Sequence, residues 1–274
     1  MRDDERSGGR EPGPSPPSTA PLLVADVGNT NICFGVFVGC ELRHSWRLRT
    51  LLDATADELA VSLRGLFAGA DLHFESLDGF AVASVVPALT STLEHLSRQL
   101  LGRAPLCVGP GVRTGIAIRL DDPREVGADR IVNAVAAHAK VGGGCIVVDL
   151  GTATTFDCIG PDGAYLGGAI APGLHTSADA LFTRAAKLFR VEIRKPKTAV
   201  GKNTVHSLQS GIYWGYVALV DGLVQRLRDE LGFPVRVLAT GGLAPLIAEG
   251  STTIQEVDED LTLVGLRLVW ERNR

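Results

Sequence analysis

Near its amino terminus the chain contains Leu22-Leu23-Val24-Ala25-Asp26-Val27-Gly28-Asn29-Thr30-Asn31. Apolar residues lead into an acid and a tight turn of small polar residues, and the apolar run 32–38 follows. This pattern predicts a strand, a turn and a second strand. A carboxylate at the end of a buried strand is costly unless a cation meets it. The turn therefore suggests a phosphate cradle with a metal-directing acid beside it, although an ordinary Gly-Asn hairpin explains this segment equally well.

The same design recurs in the second half of the chain. An apolar run again leads into Asp149, then into Gly151 and a cluster of hydroxyl residues that begins at Thr152. A third strand-like run ends in Thr240-Gly241-Gly242. Repetition of a ligand-binding turn is typical of two related halves that face one cleft. In this order, the three segments resemble the two phosphate segments and the adenosine segment of the actin-like kinase superfamily.

The composition narrows the class of protein. The chain has 274 residues, of which 45% are hydrophobic and 21% are charged, enough for two modest globular domains. A net charge of −4 argues against a nucleic-acid partner. No apolar run reaches the roughly 18 residues of a membrane helix, so no membrane association is expected. The five scattered cysteines predict reduced thiols in a cytoplasmic protein rather than a zinc site or disulfides.

The order of predicted elements indicates two domains and a tail. Residues 1–21 are charged, then rich in Pro, Gly and Ser, and are expected to form a disordered tail. The first domain, 22–141, contains three strands, a helix, a strand, a helix and a strand, and ends with a helix from Val126 to about residue 140. The second domain, 142–274, begins at a glycine joint, repeats the turn and ends with an amphipathic helix over 261–271. The predicted fold class is α/β, with two ribonuclease-H-like (actin-like ATPase) domains facing an interdomain cleft.

With these residues in view, the chain closely resembles the type III pantothenate kinases, over residues 22–274. The Gly-Ala-Asp-Arg element followed by Ile131-Val132-Asn133-Ala134 is specific to this family, whereas the Asp-x-Gly turns occur throughout the superfamily. The matching motifs are Asp26-Val27-Gly28-Asn29-Thr30, Gly127-Ala128-Asp129-Arg130, Asp149-Leu150-Gly151-Thr152-Ala153-Thr154, Gly167-Gly168-Ala169-Ile170-Ala171-Pro172-Gly173, Gly201-Lys202-Asn203-Thr204 and Thr240-Gly241-Gly242.

The resemblance implies an activity and a set of ligands. The expected reaction is ATP-dependent phosphorylation of pantothenate to 4′-phosphopantothenate, the first step of coenzyme A biosynthesis. The expected cofactors are ATP with Mg²⁺ and a monovalent cation, K⁺ or NH₄⁺. The expected assembly is a homodimer that binds pantothenate near the subunit interface.

The resemblance also assigns roles to individual residues. The ATP phosphate loop corresponds to Asp26, Val27, Gly28, Asn29, Thr30, Asn31, Ile32 and Cys33, and Thr152 is a second ATP phosphate contact. The pantothenate contacts correspond to Gly127, Ala128, Asp129, Arg130 and Thr204. Asp129 is the expected proton acceptor and Asp149 directs the monovalent cation. Asp26 is a candidate magnesium ligand, because magnesium keeps several waters and takes few carboxylates.

Two positions depart from the family pattern, and several roles have plainer alternatives. Leu120 stands where many members have a tyrosine that contacts pantothenate, and Phe189 stands where a proline is common. Asp129 also fits an ordinary helix-start acid, favoured there by the macrodipole. Arg130 suits a substrate carboxylate as a planar fork, or a surface ion pair, and Asp149 also fits a strand-end cap.

Two other functions remain open at this stage. One is another small-molecule kinase of the actin-like superfamily, which the Gly-Ala-Asp-Arg helix and the short chain disfavour. The other is a non-catalytic relative that acts as a transcriptional regulator. Loss of Asp26, Asp129 or Asp149 would favour the regulator, and all three acids are present.

Overall fold

The computed structural model describes residues 20–185 and 188–274. The expected disordered tail lies outside these ranges, except for Ala20 and Pro21. The strands are β1 (Leu22–Val27), β2 (Asn31–Val38), β3 (Glu41–Arg49), β4 (Gly79–Ser84), β5 (Leu106–Cys107), β6 (Cys145–Leu150), β7 (Ala153–Ile159), β8 (Tyr165–Pro172), β9 (Arg236–Thr240) and β10 (Glu256–Val257). The helices are α1 (Ala56–Gly69), α2 (Pro87–Leu101), α3 (Ala128–Val141), α4 (Leu174–Arg184), α5 (Thr204–Leu231), α6 (Ala244–Ala248) and α7 (Leu261–Arg272).

The strands form two sheets of the same topology. The first sheet has the order β3-β2-β1-β4-β5, and the second, taken from its β8 edge, has the order β8-β7-β6-β9-β10. In each sheet the central strand, β1 or β6, pairs antiparallel with the next strand and parallel with β4 or β9. The predicted α/β class, with two ribonuclease-H-like units, is confirmed. The division of the chain between residues 141 and 142 stays a prediction.

Local sequence explains how the elements begin. β1 has sheet neighbours on both sides and side chains buried on both faces, so it is apolar without alternation. β3 is an edge strand, and its side chains alternate between exposed and half-buried. The predicted capping box opens α1: the Thr55 N–H donates to Glu58 Oε2 at 2.9 Å, and the Glu58 N–H donates to Thr55 Oγ1 at 3.2 Å.

Helices α3 and α7 form a layer between the two sheets. α7 packs on α3, β1 and β4, and α3 packs on β6 and β7. A Cβ atom on Gly265 of α7 would overlap the carbonyl of Val132 in α3, so the two helices cross at close range. Val24 of β1 and Val147 of β6 share one buried cluster with these helices. Asp26 and Asp149 lie two residues further along their strands and therefore point to the same inner layer.

None of the helices within residues 20–185 and 188–274 has both the length and the hydropathy that a membrane span requires.

Candidate active site

The two predicted phosphate turns meet between the sheets. The turn between β1 and β2 places Thr30 Oγ1 2.8 Å from Thr152 Oγ1 of the turn between β6 and β7, and both residues are exposed. Thr50 braces the first turn by donating its side-chain hydroxyl to the Gly28 carbonyl at 2.7 Å. Thr176 braces the second by donating to the Thr152 carbonyl at 2.8 Å. Hydroxyl groups from both halves of the molecule thus line one cleft.

The third segment of the pattern joins the same place. Thr240 ends β9 and lies opposite Asp149 in the register of the second sheet. Gly241 has a φ of +88°, and a Cβ there would lie 2.6 Å from Asp149 Oδ1. Only glycine combines this backbone conformation with such a close approach. The Thr-Gly-Gly turn is therefore held against the second phosphate turn.

Three half-buried acids lie together beside these turns. The pKa of Asp26 is raised to about 8, mainly by loss of hydration and in addition by the charges of Asp129 and Asp149. The pKa of Asp149 rises to about 7 for the same main reason, with repulsion from Asp129 and Asp157 added. Burial also raises the pKa of Asp129, although the Arg130 N–H opposes this by donating to its carboxylate. A group of acids that repel one another is suited to binding a cation.

This group of acids fits a Mg²⁺ ion that is bound by a carboxylate and by phosphate oxygens together. Across the described ranges, no three His, Cys, Asp or Glu side chains are arranged as a ready-made metal cage. Magnesium does not need one, because it usually takes one or two carboxylates and completes its octahedron with water and phosphate oxygens. Asp26, beside the two hydroxyl-rich turns, meets this requirement.

The Gly-Ala-Asp-Arg element forms the start of α3. Gly127 is the residue before the helix, and Ala128 is its first residue. Asp129 Oδ1 accepts a hydrogen bond from the Arg130 N–H at 2.8 Å. Any side chain on Gly127 would clash with the Asp129 carboxylate. The glycine therefore leaves room for the carboxylate in front of the helix.

Arg130 makes a buried ion pair that the sequence did not predict. Its Nε donates to Asp157 Oδ1 at 2.6 Å, and the Tyr165 hydroxyl donates to the same oxygen at 2.7 Å. Asp157 is fully buried, whereas the Arg130 side chain is 16% exposed. The ion pair is thus internal and not at the surface. The sequence did carry one signal for Asp157: it alternates along β7 with Thr155 and Ala153, so the three residues share one face of the strand.

A second unpredicted network fixes Asp149. Asn133 of α3 is fully buried and donates from Nδ2 to Asp149 Oδ2 at 3.1 Å. The Thr262 hydroxyl of α7 donates to Asn133 Oδ1 at 2.8 Å. Because Thr262 occupies the amide oxygen, the Asn133 NH₂ group faces the carboxylate. The C-terminal helix therefore orients an acid of the second sheet.

The remaining predicted residues fall into two groups. Val27 and Ile32 are fully buried in the first half's core, so only their backbone can meet a ligand, while Asn29 and Asn31 are exposed at the turn. Thr204 is the first residue of α5, is exposed, and makes no hydrogen bond or ion pair with the three acids in the described part of the chain.

The two departures from the family pattern also have definite positions. Leu120 packs against the shared core and approaches Gly167, where a Cβ would lie 3.3 Å from Leu120 Cδ2. The Phe189 side chain is 54% exposed, and nothing in the structure explains the choice of phenylalanine there.

The fold and the paired turns define the class of protein. The chain matches MreB 5 of Spiroplasma citri, solved with AMPPNP bound, with a TM-score of 0.53 and 11% identity over 94% of this chain and 97% of that one. It also matches an inorganic polyphosphate/ATP-glucomannokinase from Arthrobacter sp. strain KM, with a TM-score of 0.51 and 18% identity over 93% and 99%. At these identities the likeness concerns the fold alone, which is that of actin-like ATPases and sugar kinases.

The sequence comparisons narrow the class to one family. The family model described as type III pantothenate kinase matches residues 22–226. A relative named type III pantothenate kinase, from Anaeromyxobacter sp. (strain Fw109-5), is 56% identical over 92% of this chain and 100% of its own length. The chain belongs to the type III pantothenate kinase family.

Proposed function

We propose that this protein transfers the terminal phosphoryl group of ATP to pantothenate and forms 4′-phosphopantothenate, the first step of coenzyme A biosynthesis. The observation that supports it most is the Thr30–Thr152 contact beside Asp26, Asp129 and Asp149. This contact brings hydroxyl groups that can donate hydrogen bonds to phosphate, and acids that can bind a cation, into one cleft. A cytoplasmic location fits this reaction, which uses ATP as a substrate.

The two turns bind the phosphates of ATP. Phosphoryl transfer requires mainly positioning of the reactants and neutralisation of phosphate charge. Backbone N–H groups and the hydroxyls of Thr30 and Thr152 donate to the phosphate oxygens, and Asp26 holds the metal. Mg²⁺, when bound with ATP, supplies positive charge to the phosphate oxygens.

Asp129 accepts the proton of the pantothenate hydroxyl. As the hydroxyl oxygen forms its bond to the terminal phosphorus, the bond from that phosphorus to the bridging oxygen of ADP breaks. The raised pKa of Asp129 makes its carboxylate a stronger base, closer to the operating pH. Arg130, whose Nε is occupied by Asp157, binds the pantothenate carboxylate through its remaining N–H groups.

Asp149 binds the monovalent cation. It lies at the second turn and is oriented by Asn133, so a K⁺ or NH₄⁺ ion there would offset the charge that the acids share. We expect activity with potassium or ammonium and little activity with sodium. Full activity in sodium alone, after careful removal of potassium, would contradict this assignment.

A second copy of the chain covers the groove between α4 and α5. The groove has a volume of about 380 Å³ and is lined mainly by small and apolar side chains. Gly211 and Gly215 leave open space along α5 where another helix can approach. Leu181, on the rim, is 40% exposed. Thr204 begins the same helix, one turn before Ser207, which lines the groove, so a partner chain seated there would lie near Thr204.

The dimer is tested with two glutamate substitutions on one helix. Gly215→Glu puts a charge in the groove, whereas Gly222→Glu puts the same charge on α5 outside it, at a glycine that also has open space around it. Light scattering should give a dimer for the wild type and for Gly222→Glu, and a monomer with lost activity for Gly215→Glu. A fully active monomeric wild type at the same concentration would refute the homodimer.

One coupled assay tests the reaction. ADP formation is followed with pantothenate, ATP, magnesium and potassium, and then with each omitted in turn. Acetate and a hexose replace pantothenate in parallel reactions, because another kinase of this fold would act on one of them. Activity that requires pantothenate supports the proposal, and turnover of acetate or hexose alone overturns it.

A further inference from the structure

Arg47 lies on the face of the first sheet that looks into the cleft. It pairs with Cys33 of β2, and Cys33 in turn pairs with Asp26 of β1. Directly paired residues in a sheet point to the same face. The row Arg47, Cys33, Asp26 therefore crosses three strands beside the first phosphate turn, with the acid at one end and the cation at the other.

The guanidinium reaches across the cleft to the third segment. Arg47 lies close enough to the Cys33 thiol that its positive charge opposes the burial that raises the pKa of that thiol. A Cβ built on Gly242 would lie 3.6 Å from Arg47 Nη1, so the guanidinium is also adjacent to the Thr240–Gly242 turn of the other half. The Arg47 side chain thus lies beside β2, which follows the first phosphate turn, and beside the turn that follows β9.

Arg47 makes no ion pair within residues 20–185 and 188–274, and its side chain is exposed. Arg43, four residues earlier on the same strand, pairs with Glu41 at 2.9 Å. A positive charge that lacks a carboxylate partner, in a cleft with three acids close by, is available for an anionic ligand.

The second sheet lacks such a group at the equivalent place. There the row is Ile170, Thr155, Asp149, in the same order across β8, β7 and β6. Ile170 occupies the position of Arg47 and is 66% exposed. The two halves share the acid at the centre of each sheet but not the cation at the edge strand, so this positive charge belongs to the first half alone.

We infer that Arg47 binds the polyphosphate chain of the nucleotide, between the first phosphate turn and the Thr240–Gly242 turn. This inference rests on the proposed function for the identity of the nucleotide and adds a residue that the motifs do not include. Arg47 supplies fixed positive charge from the protein in addition to that of the metal. It also links both halves of the molecule through the bound phosphates.

Calorimetric titration of the full chain with adenosine, Mg-ADP and Mg-AMPPNP tests this role. The variants are Arg47→Met, which removes the charge and keeps the length, Arg47→Lys, which keeps a point charge, and the control Arg43→Met. A charge-assisted hydrogen bond contributes about 1.5–3 kcal/mol, which is about 10- to 150-fold in affinity. Arg47→Met should weaken ADP and AMPPNP binding by this factor and leave adenosine binding unchanged. Arg47→Lys should recover part of the loss, and Arg43→Met should bind like the wild type.

The ligand series separates this role from a structural one. Equal loss of adenosine and AMPPNP binding in Arg47→Met, or wild-type AMPPNP binding in that variant, overturns the inference. A wild type that binds no adenine nucleotide also overturns it. A wild type that binds AMPPNP but does not phosphorylate pantothenate rejects the proposed function, and the binding series then still decides the role of Arg47.

Discussion

At the level of single residues, the site contains acids in two kinds of surroundings. Asp157 is fully buried and meets Arg130 and Tyr165, so its charge has partners. Burial instead raises the pKa of Asp26, Asp129 and Asp149, and the charge of Asp129 adds to the rise at the other two. The first arrangement is suited to holding a cationic side chain in place, and the second is suited to binding a cation or accepting a proton. Substitution of one member of each kind should therefore have different kinetic effects.

Asp129→Asn tests the proton acceptor. The substitution is nearly isosteric and keeps an oxygen that can accept from the Arg130 N–H, so the fold should remain. General-base catalysis contributes about 10²–10⁴ in rate, and we expect kcat to fall by that factor. Mg-ATP affinity, which depends on the two turns, should change little. A folded variant that retains more than about a third of wild-type kcat, far above this range, would show that Asp129 is not the base.

Asp157→Asn tests the positioning of Arg130. The variant keeps the shape of the side chain but leaves the arginine without its buried counter-charge, so KM for pantothenate should rise while kcat changes much less. Tyr165→Phe is the matched control, because it removes one hydrogen bond to the same oxygen and keeps the ion pair. Breaking a buried pair costs about 3–5 kcal/mol of stability, so both variants are assayed below their melting temperatures. An unchanged KM in folded Asp157→Asn would mean that Arg130 does not contact pantothenate.

At the level of elements, the sequence predicted those features that depend on near neighbours. The repeated apolar run, acid and glycine identified β1 and β6, and the Thr55–Glu58 spacing identified the start of α1. The last helix was predicted over 261–271 and is observed at Leu261–Arg272. Its contact with α3 was not predicted, because an amphipathic pattern shows that a face is buried but not what covers it. The link from Thr262 through Asn133 to Asp149 could not be seen for the same reason.

The crossing of α3 and α7 should tolerate no side chain at Gly265. A methyl group there would overlap the Val132 carbonyl, and overpacking typically costs about 1–3 kcal/mol. Thermal unfolding of Gly265→Ala should show a lower Tm. Gly222→Ala is the control, because nothing lies within 4 Å of its Cβ position on α5, and alanine in an exposed helix stabilises by up to about 1 kcal/mol. Equal Tm changes in both variants would contradict the close crossing.

At the level of the whole molecule, the raised pKa values of Asp26 and Asp149 make the stability of the fold depend on pH. In the unfolded chain an aspartate loses its proton near its ordinary pKa of 3.8, whereas in the fold Asp149 keeps it up to about pH 7 and Asp26 up to about pH 8. Between these values the folded state binds more protons than the unfolded state. Its free energy of unfolding therefore falls as pH rises from about 4 to 8 through the contribution of these two groups.

This linkage predicts that Asp149→Asn stabilises the ligand-free protein. Asparagine keeps an oxygen that can accept from Asn133 Nδ2 but has no charge to repel Asp129 and Asp26. Urea unfolding at pH 5, 6, 7 and 8 should give a flatter pH dependence for the variant than for the wild type. Above pH 7 the variant should be more stable by at least about 1 kcal/mol, the equivalent of one pKa unit. Asp53→Asn, at an exposed loop acid, should leave the slope unchanged. A variant that is less stable than the wild type at pH 8 would contradict this prediction. It would show that a partner within the fold stabilises the charged Asp149 carboxylate.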